Sequence, residues 1–344
     1  MKVFLFVLLL AGAARAGINP VAAQEAQAGL ALAREGKYEL AIPHYRAAIA
    51  ADPHLPGIHL NLGLAYFKLN HLPPAAEAFE RAAKADPNSF QVRTLLGLTY
   101  YGLAKFDLAA AQLKLAAAQE PDNIELRFKL AQSYLWSKQY QGAMDEFRFL
   151  LAKNPDSAPV HMLLGEVLDA ANQTDQAIAE LEAAVKAGPR EPEVHFDLGY
   201  LYWKRRRYEE AAREFRAELA NAPEHMQAMA HLGDSEMHTG KEKEAEQHLR
   251  QALRAAPQIR LAHLDLGILL ADRDTATAEA ERHLREAIHL DPSNPDAHYR
   301  LGKLLRSQGR EQDARAEFDK VKKLAESQPP EPLVNVPGRD KPAP

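Results

Sequence analysis

Proline returns in this chain with a fixed period. Pro53, Pro87, Pro121, Pro155, Pro189, Pro223 and Pro257 stand 34 residues apart, and Pro292 follows after 35. Proline lacks an amide hydrogen and drives the residue before it out of the α region, so each one ends a helix. A chain interrupted in this way folds as a stack of like units and not around one closed core. Two further registers share the period. Ala41, Ala75, Ala109, Ala143, Ala177, Ala211, Ala245, Ala280 and Ala314 occupy equivalent positions, with the same single slip. Gly29, Gly63, Gly97, Gly165, Gly199, Gly233, Gly267 and Gly302 occupy another set, with Ala131 in the remaining slot. Glycine inside a helix costs about 1 kcal/mol relative to alanine, so its return calls for close approach of two helix backbones. The repeat alanine is the expected partner at that crossing.

Large residues sit at fixed offsets from the small ones. Tyr66, Tyr100, Tyr134 and Tyr202 come three residues after the repeat glycine or after Ala131. Tyr45, Phe79, Phe147, Phe215 and Phe318 come four after the repeat alanine. Both offsets place small and large residues on one helical face. Gly36, Asn70, Gly240 and Gly309 fall midway and suit a turn. Abundant alanine and sparse β-branched residues favour helix throughout. Each unit is therefore expected to be helix, turn, helix, proline turn.

The run Leu62-Gly63-Leu64-Ala65-Tyr66, followed by Ala75, Phe79 and Pro87, resembles the tetratricopeptide repeat family. The resemblance covers residues 22–328 as nine units: 22–55, 56–89, 90–123, 124–157, 158–191, 192–225, 226–259, 260–294 and 295–328. Departures are local. Leucine replaces the second aromatic at Leu113, Leu181, Leu249 and Leu284, and Glu236 stands in a tyrosine slot. Repeat eight has an extra residue between Gly267 and Ala280, which should lengthen its inner turn. The resemblance implies an all-α fold of 18 helices in a right-handed α-α superhelix, each unit touching only its neighbours. The final helix, near Glu311 to Gln328, carries a polar face suited to capping the stack. The proline-rich tail over 329–344 is expected to be extended or disordered.

The 344 residues carry a net charge of −5, which argues against a nucleic-acid partner. No cysteine is present, so disulfides, thiolate nucleophiles and Cys-ligated metals are excluded. Lys2, the apolar run Val3 to Ala11 and Ala14-Arg15-Ala16 compose a secretory signal peptide, with cleavage expected after Ala16. Residues 17–21 would then be a short leading segment. The apolar run is too short to span a bilayer. The expected location is outside the cytoplasm, periplasmic or extracellular; the alternative is a chain anchored by an uncleaved N-terminus.

Chemistry-bearing motifs are scarce. No HExxH, GxSxG or Gly-rich phosphate loop occurs, and no catalytic residue, metal or small-molecule cofactor is expected. His59, His161, His195, His263 and His298 all take the fourth position of their repeats, which marks them as packing residues. A paired-carboxylate site would need two acids in one apolar cleft, and the acids fall mainly on outward faces. Lys204-Arg205-Arg206-Arg207 is a basic inner turn, expected to be solvated.

Function is expected in the groove. In similar arrays the second, fifth, ninth, twelfth and thirteenth residues of each unit line the concave face. By that resemblance the partner-binding residues are Phe67, Tyr101, Phe128, Gln132 and Trp136, then the acidic Glu166 and Asp169. Phe196, Tyr200, Trp203 and Lys204 continue the set. Both tryptophans of the chain are among them, and Trp and Tyr are typical interface anchors. The cations with which cochaperone-type arrays grip a C-terminal carboxylate are missing around Asn61. The expectation is a non-catalytic exported scaffold for a protein or peptide, with repeats four to six as an aromatic groove. The alternative is an accessory module in cell-envelope or polysaccharide assembly and export, contacting glycan or associating peripherally with an envelope complex.

Overall fold

A computed structural model describes residues 19–271, 273 and 277–327. The expected signal segment 1–16, part of the inner turn of repeat eight and the tail 329–344 lie outside the described residues. Of the leading segment 17–21, Pro20 and Val21 already belong to the first helix.

The described residues are all-α, with eighteen helices in successive pairs. The first five pairs are α1 (Pro20–Arg34) and α2 (Tyr38–Ala51), α3 (Ile58–Lys68) and α4 (Leu72–Ala85), α5 (Phe90–Gly102) and α6 (Phe106–Ala117), α7 (Ile124–Trp136) and α8 (Tyr140–Lys153), and α9 (Ala158–Ala170) and α10 (Thr174–Ala187). The next four are α11 (Val194–Lys204) and α12 (Tyr208–Asn221), α13 (Met226–His238) and α14 (Glu242–Ala255), α15 (Arg260–Ala271) and α16 (Thr277–Leu290), and α17 (Pro295–Ser307) and α18 (Glu311–Ser327). Nine successive pairs agree with the expected number of repeats.

The turns follow from local chemistry. Midway through the repeats the chain takes a left-handed residue at Gly36, Asn70, Ala104, Lys138, Asn172, Arg206, Gly240 and Gly309. Only some of these are glycine or asparagine, so Ala104, Lys138 and Arg206 adopt a costly conformation that the packed helices impose. First helices start behind side-chain caps at Asn19, Ser89, Asn123 and Asn294.

The repeat glycine meets the backbone of the repeat alanine, as at Gly29 and the Ala41 carbonyl, and it also faces a larger neighbour. A Cβ on Gly63 would lie 2.6 Å from the Phe79 ring, and one on Gly302 2.7 Å from Phe318. The same holds for Gly29 against Tyr45, Gly199 against Phe215 and Gly97 against Leu113. The large residue four after the repeat alanine thus fills the space over the glycine, while the alanine lets the backbones close. Tyr45, Phe79, Phe147 and Phe215 are fully buried.

In most repeats the fourth residue makes a clasp from the proline turn before its pair to the second helix of that pair, which goes beyond the packing role expected for the histidines. His161 Nδ1 lies 2.7 Å from Glu180 and its Nε2 2.9 Å from the Pro155 carbonyl. His195 repeats this with Glu214 and Pro189, at 2.7 and 3.1 Å. Arginine makes the same two contacts in two repeats: Arg93 with Gln112 and Pro87, Arg127 with Glu146 and Pro121. The proline turn is thereby tied to the second helix of the unit it precedes. Repeat one reverses the polarity, with Glu25 on His44 at 2.7 Å. His263 meets His283 in place of a carboxylate. His59 holds the Pro53 carbonyl, and its other nitrogen is buried without a partner.

Repeat seven departs, because Met229 replaces the clasp residue. His248 turns instead to Glu236, at 2.6 Å, and Arg216 of the preceding repeat reaches the same carboxyl at 2.6 Å. Burial alone would raise the Glu236 carboxyl, but the hydrogen bonds from His248 and Arg216 outweigh it and hold the group below the ordinary range. This explains the acid in a tyrosine slot: Tyr100 in that slot reaches the equivalent Glu80, at 2.7 Å.

Packing divides the chain into two units between Ala187 and Gly188. In the first, α1 to α10 pack in sequence order, around a core that includes Tyr45, Ile58, Leu64, Phe79 and Leu95. In the second, α11 to α18 do likewise, with Leu249, Leu266, Leu284 and Leu301 among the core residues. First helices also touch each other along the second unit, as α11 with α13, α13 with α15 and α15 with α17.

Candidate functional site

The eleven residues expected in the groove fall into both units. Phe67, Tyr101, Phe128, Gln132, Trp136, Glu166 and Asp169 belong to the first, and Phe196, Tyr200, Trp203 and Lys204 to the second.

In the first unit, α5, α6 and α7 assemble a partly exposed aromatic row. The Tyr101 ring meets Phe106 edge-on at 5.6 Å, and Phe106 lies 6.2 Å from Trp136. Trp136 remains 48% exposed, so much of its indole is available for contact. Tyr101 donates its hydroxyl hydrogen to Gln132 at 3.2 Å, and Lys129 donates to the same oxygen at 3.0 Å while lying over the Tyr101 ring. Phe106 and Lys129 were not anticipated; both follow once α6 is allowed to share the face.

A cleft of about 1220 Å³ lies between repeats three, four and five, with Lys129 shared between its rim and the aromatic row. Phe90, Leu98, Ile124, Phe128, Leu150 and Val160 give it an apolar lining. Thr94 also faces it, and its hydroxyl oxygen is buried without a partner. The rim is charged, with Glu120, Asp122 and Glu125 against Lys129 and Lys153. Lys153 is engaged by Asp122 at 2.9 Å. Phe67 lies apart, packed on Phe79 at 6.4 Å. Glu166 stands further along α9 and is exposed as a residue, yet partial desolvation of its carboxyl holds it above the ordinary range. Asp169 accepts from the Thr174 hydroxyl at 2.9 Å and so braces the inner turn of repeat five.

In the second unit, Phe196, Tyr200 and Trp203 run down one face of α11 with rings stacked in succession, at 6.3 and 5.7 Å. His225 stacks on Phe196 at 4.6 Å, and His231 meets Trp203 edge-on at 4.9 Å. Burial, then the nearby His225 and Arg260, lower the His231 imidazole to about 4. Tyr200 is 39% exposed, whereas Trp203 is tethered: its indole N–H donates to Asp234. Lys204 is exposed at the end of the helix.

Glu193, Glu218 and His225 bring three donor atoms within 4.8 Å of one another, close enough for a metal. The hydrogen bonds give them another role. His225 Nδ1 accepts from the Ala228 amide at 3.1 Å, which places the ring proton on Nε2, facing Glu193 at 2.8 Å. A metal on Nε2 would need the opposite tautomer and would break that helix cap. Glu218 in turn accepts from the Phe196 amide and caps α11, which has no side-chain cap of its own.

Sequence reasoning missed a relationship at 31-residue intervals. Tyr101 to Gln132 and Trp203 to Asp234 are the same diagonal, from the twelfth position of one repeat to the ninth of the next. One step further lies Asp265, whose carboxyl hydrogen-bonds that of Asp234. Scanning for donors and acceptors one helical turn short of the period would have found all of them.

Comparison with known sequences assigns the whole array. Residues 94–158, 196–260 and 264–329 match one tetratricopeptide repeat profile. Residues 137–198, 29–70 and 56–89 match three others of the same kind. The chain belongs to the tetratricopeptide repeat family. No curated protein matches it. Among solved structures, the tetratricopeptide array is similar to the C-terminal part of a TPR repeat-containing protein from Cytophaga hutchinsonii. That chain is 18% identical, with a TM-score of 0.57 over 70% of this chain and 98% of the other. YrrB, described as a TPR protein with an unusual peptide-binding site, is 20% identical over 53% of this chain and 93% of its own, with a TM-score of 0.42. A MamA structure is 27% identical over 49% and 97%, with a TM-score of 0.43. No described helix of this tetratricopeptide chain is long and apolar enough to cross a membrane.

Proposed function

We propose that the chain is a non-catalytic, exported scaffold that binds an extended polypeptide segment on its first-helix faces. The observation that carries this reading is the apolar cleft of repeats three to five, with Lys129 standing both on its rim and on the aromatic row that ends at the half-exposed Trp136. A cleft of that size, with an apolar floor and a charged rim, suits the anchor side chain of a peptide. Glu166, desolvated without a compensating charge, favours a basic residue beside the anchor. The Asp234 and Asp265 carboxyls are paired as acid catalysts can be, but both are almost completely buried and present no oxygen to a substrate.

Selection of linear peptides from a displayed library by the purified chain tests the binding. Enriched peptides should combine an apolar anchor with a basic residue and lose at least about tenfold in affinity on Phe128→Ala or Trp136→Ala, about 1.4 kcal/mol or more. Hits that ignore both substitutions, or no hits, refute it. Export is supported by the charge and apolar pattern of residues 2–16. Fusing residues 1–30 to a reporter enzyme active only outside the cytoplasm should give activity that is lost when residues 1–16 are removed. A silent fusion refutes export.

A further inference from the structure

Trp203, Asp234 and Asp265 form a chain across α11, α13 and α15. Asp234 accepts the indole N–H of Trp203 and is hydrogen-bonded to Asp265. Asp234 is 4% exposed and Asp265 3%, and one Asp265 oxygen is buried with no partner. Ionised carboxylates only accept, so two of them cannot share a hydrogen bond. One member of the pair carries a proton, and the surroundings select which. The groups facing the pair are Trp203 on α11, Tyr208 on α12, His238 on α13, Arg260 on α15 and Asp296 on α17. Burial raises the Asp234 carboxyl above the ordinary range, but Trp203, His238 and the hydrogen bond with Asp265 all favour its charge. Around Asp265, burial, then Asp234 and Asp296, oppose charge, and Arg260 alone favours it. Asp265 is therefore the acid and Asp234 the anion.

We propose that Asp265 is a positioning residue for Trp203: its proton lets Asp234 remain anionic in a dry site and hold the indole in place on α11. This rests on reading the α11 face as a partner surface. Loss of the proton puts two like charges in direct contact between α13 and α15, in a site with little water to screen them. The helices must part or admit water, and the tether of Trp203 changes with them. The first unit carries the neutral counterpart. There the diagonal runs from Tyr101 to Gln132, and the next position along is Leu163. One aromatic face is thus linked to pH and the other is not.

Trp136→Phe leaves Trp203 as the sole tryptophan and makes its emission a local probe. As pH rises past the ordinary carboxylate range, the emission of this variant should show a step. Adding Asp265→Asn should flatten it, since the amide still donates to Asp234 but cannot ionise. His238 also faces Asp234, and His238→Gln should leave the step in place. At neutral pH the infrared spectrum should contain the carbonyl band of a buried, protonated carboxyl, absent after Asp265→Asn. If Asp265→Asn does not fold, Asp234→Asn should move the step to lower pH by removing the opposing charge. An emission profile unchanged by these aspartate substitutions, or a parent spectrum without the carboxyl band, overturns the proposal. Neither readout involves a partner, so a failure to bind peptide leaves this result standing, and the reverse.

Discussion

His298 sits between two acceptors: its Nδ1 is 2.5 Å from Glu317 Oε2, and its Nε2 is 3.1 Å from the Pro292 carbonyl. An imidazole satisfies both only by donating from both nitrogens, as a cation. Arg127 makes the same pair of contacts with a permanent charge. In repeats three to six and in repeat nine, histidine and arginine are two ways of making this pair of contacts. His298→Arg should keep the final repeat folded. His298→Leu should destabilise it by about 2–3 kcal/mol, because Glu317 stays largely buried with Lys320 as its remaining partner. Thermal unfolding of the two variants checks this; equal losses would refute the clasp.

Buried His231 predicts an acid-side loss of stability. Its value falls from the ordinary 6.5 to about 4 in the folded chain. Below 6.5 the unfolded chain takes up a proton that the folded chain refuses, so stability drops as pH falls from about 6.5 to about 4 and then levels off. The full effect is about 3 kcal/mol. His231→Leu should remove this component, seen as the difference between the two stability curves against pH. Parallel curves across that window would refute it.

Gly63 predicts the cost of a methyl group at the helix crossing. Alanine gains about 1 kcal/mol of helix propensity but pushes the buried Phe79 ring out of its place. Overpacking of this kind costs about 1–3 kcal/mol, so Gly63→Ala should destabilise by about 1 kcal/mol net. Repeat four has already made the exchange, with Ala131 over Phe147. Denaturant midpoints decide the sign, and a stabilised variant would show that Phe79 moves freely.

The two tryptophans should respond differently to truncation. Trp136 is half-exposed, and Trp136→Ala should change stability by less than about 1 kcal/mol. Trp203→Ala strips a donor from the buried Asp234 and should cost about 2 kcal/mol or more. A double substitution would therefore confuse binding with folding. Single substitutions followed by unfolding and peptide titration separate the two.

The repeat architecture was legible because proline, glycine and alanine act through the backbone, and their spacing survives whatever the side chains around them do. The neighbours of those residues were less legible. Gly63 meets Phe79, which depends on how deeply the second helix settles. The clasps were hidden because His161 and Glu180 lie on opposite helices of a pair, where neither is marked by periodicity along one helix. The aromatics were placed by resemblance, and that placement did not reveal that Trp136 is free while Trp203 is tethered. The difference arises at Asp234, one repeat away.

The clasps and the diagonals differ in what they would survive during evolution by repeat duplication and loss. Each clasp joins the two helices of one unit to the periodic proline just before it, so a repeat that is copied or deleted meets an equivalent proline at the new junction. The diagonals close only between specific neighbours. Removing repeat seven as a block would bring Ile268 to the place of Asp234, and the indole of Trp203 would point at a side chain with nothing to accept its hydrogen. The array is interchangeable in its scaffold and ordered in its contents, and repeats six, seven and eight make this diagonal only as a set.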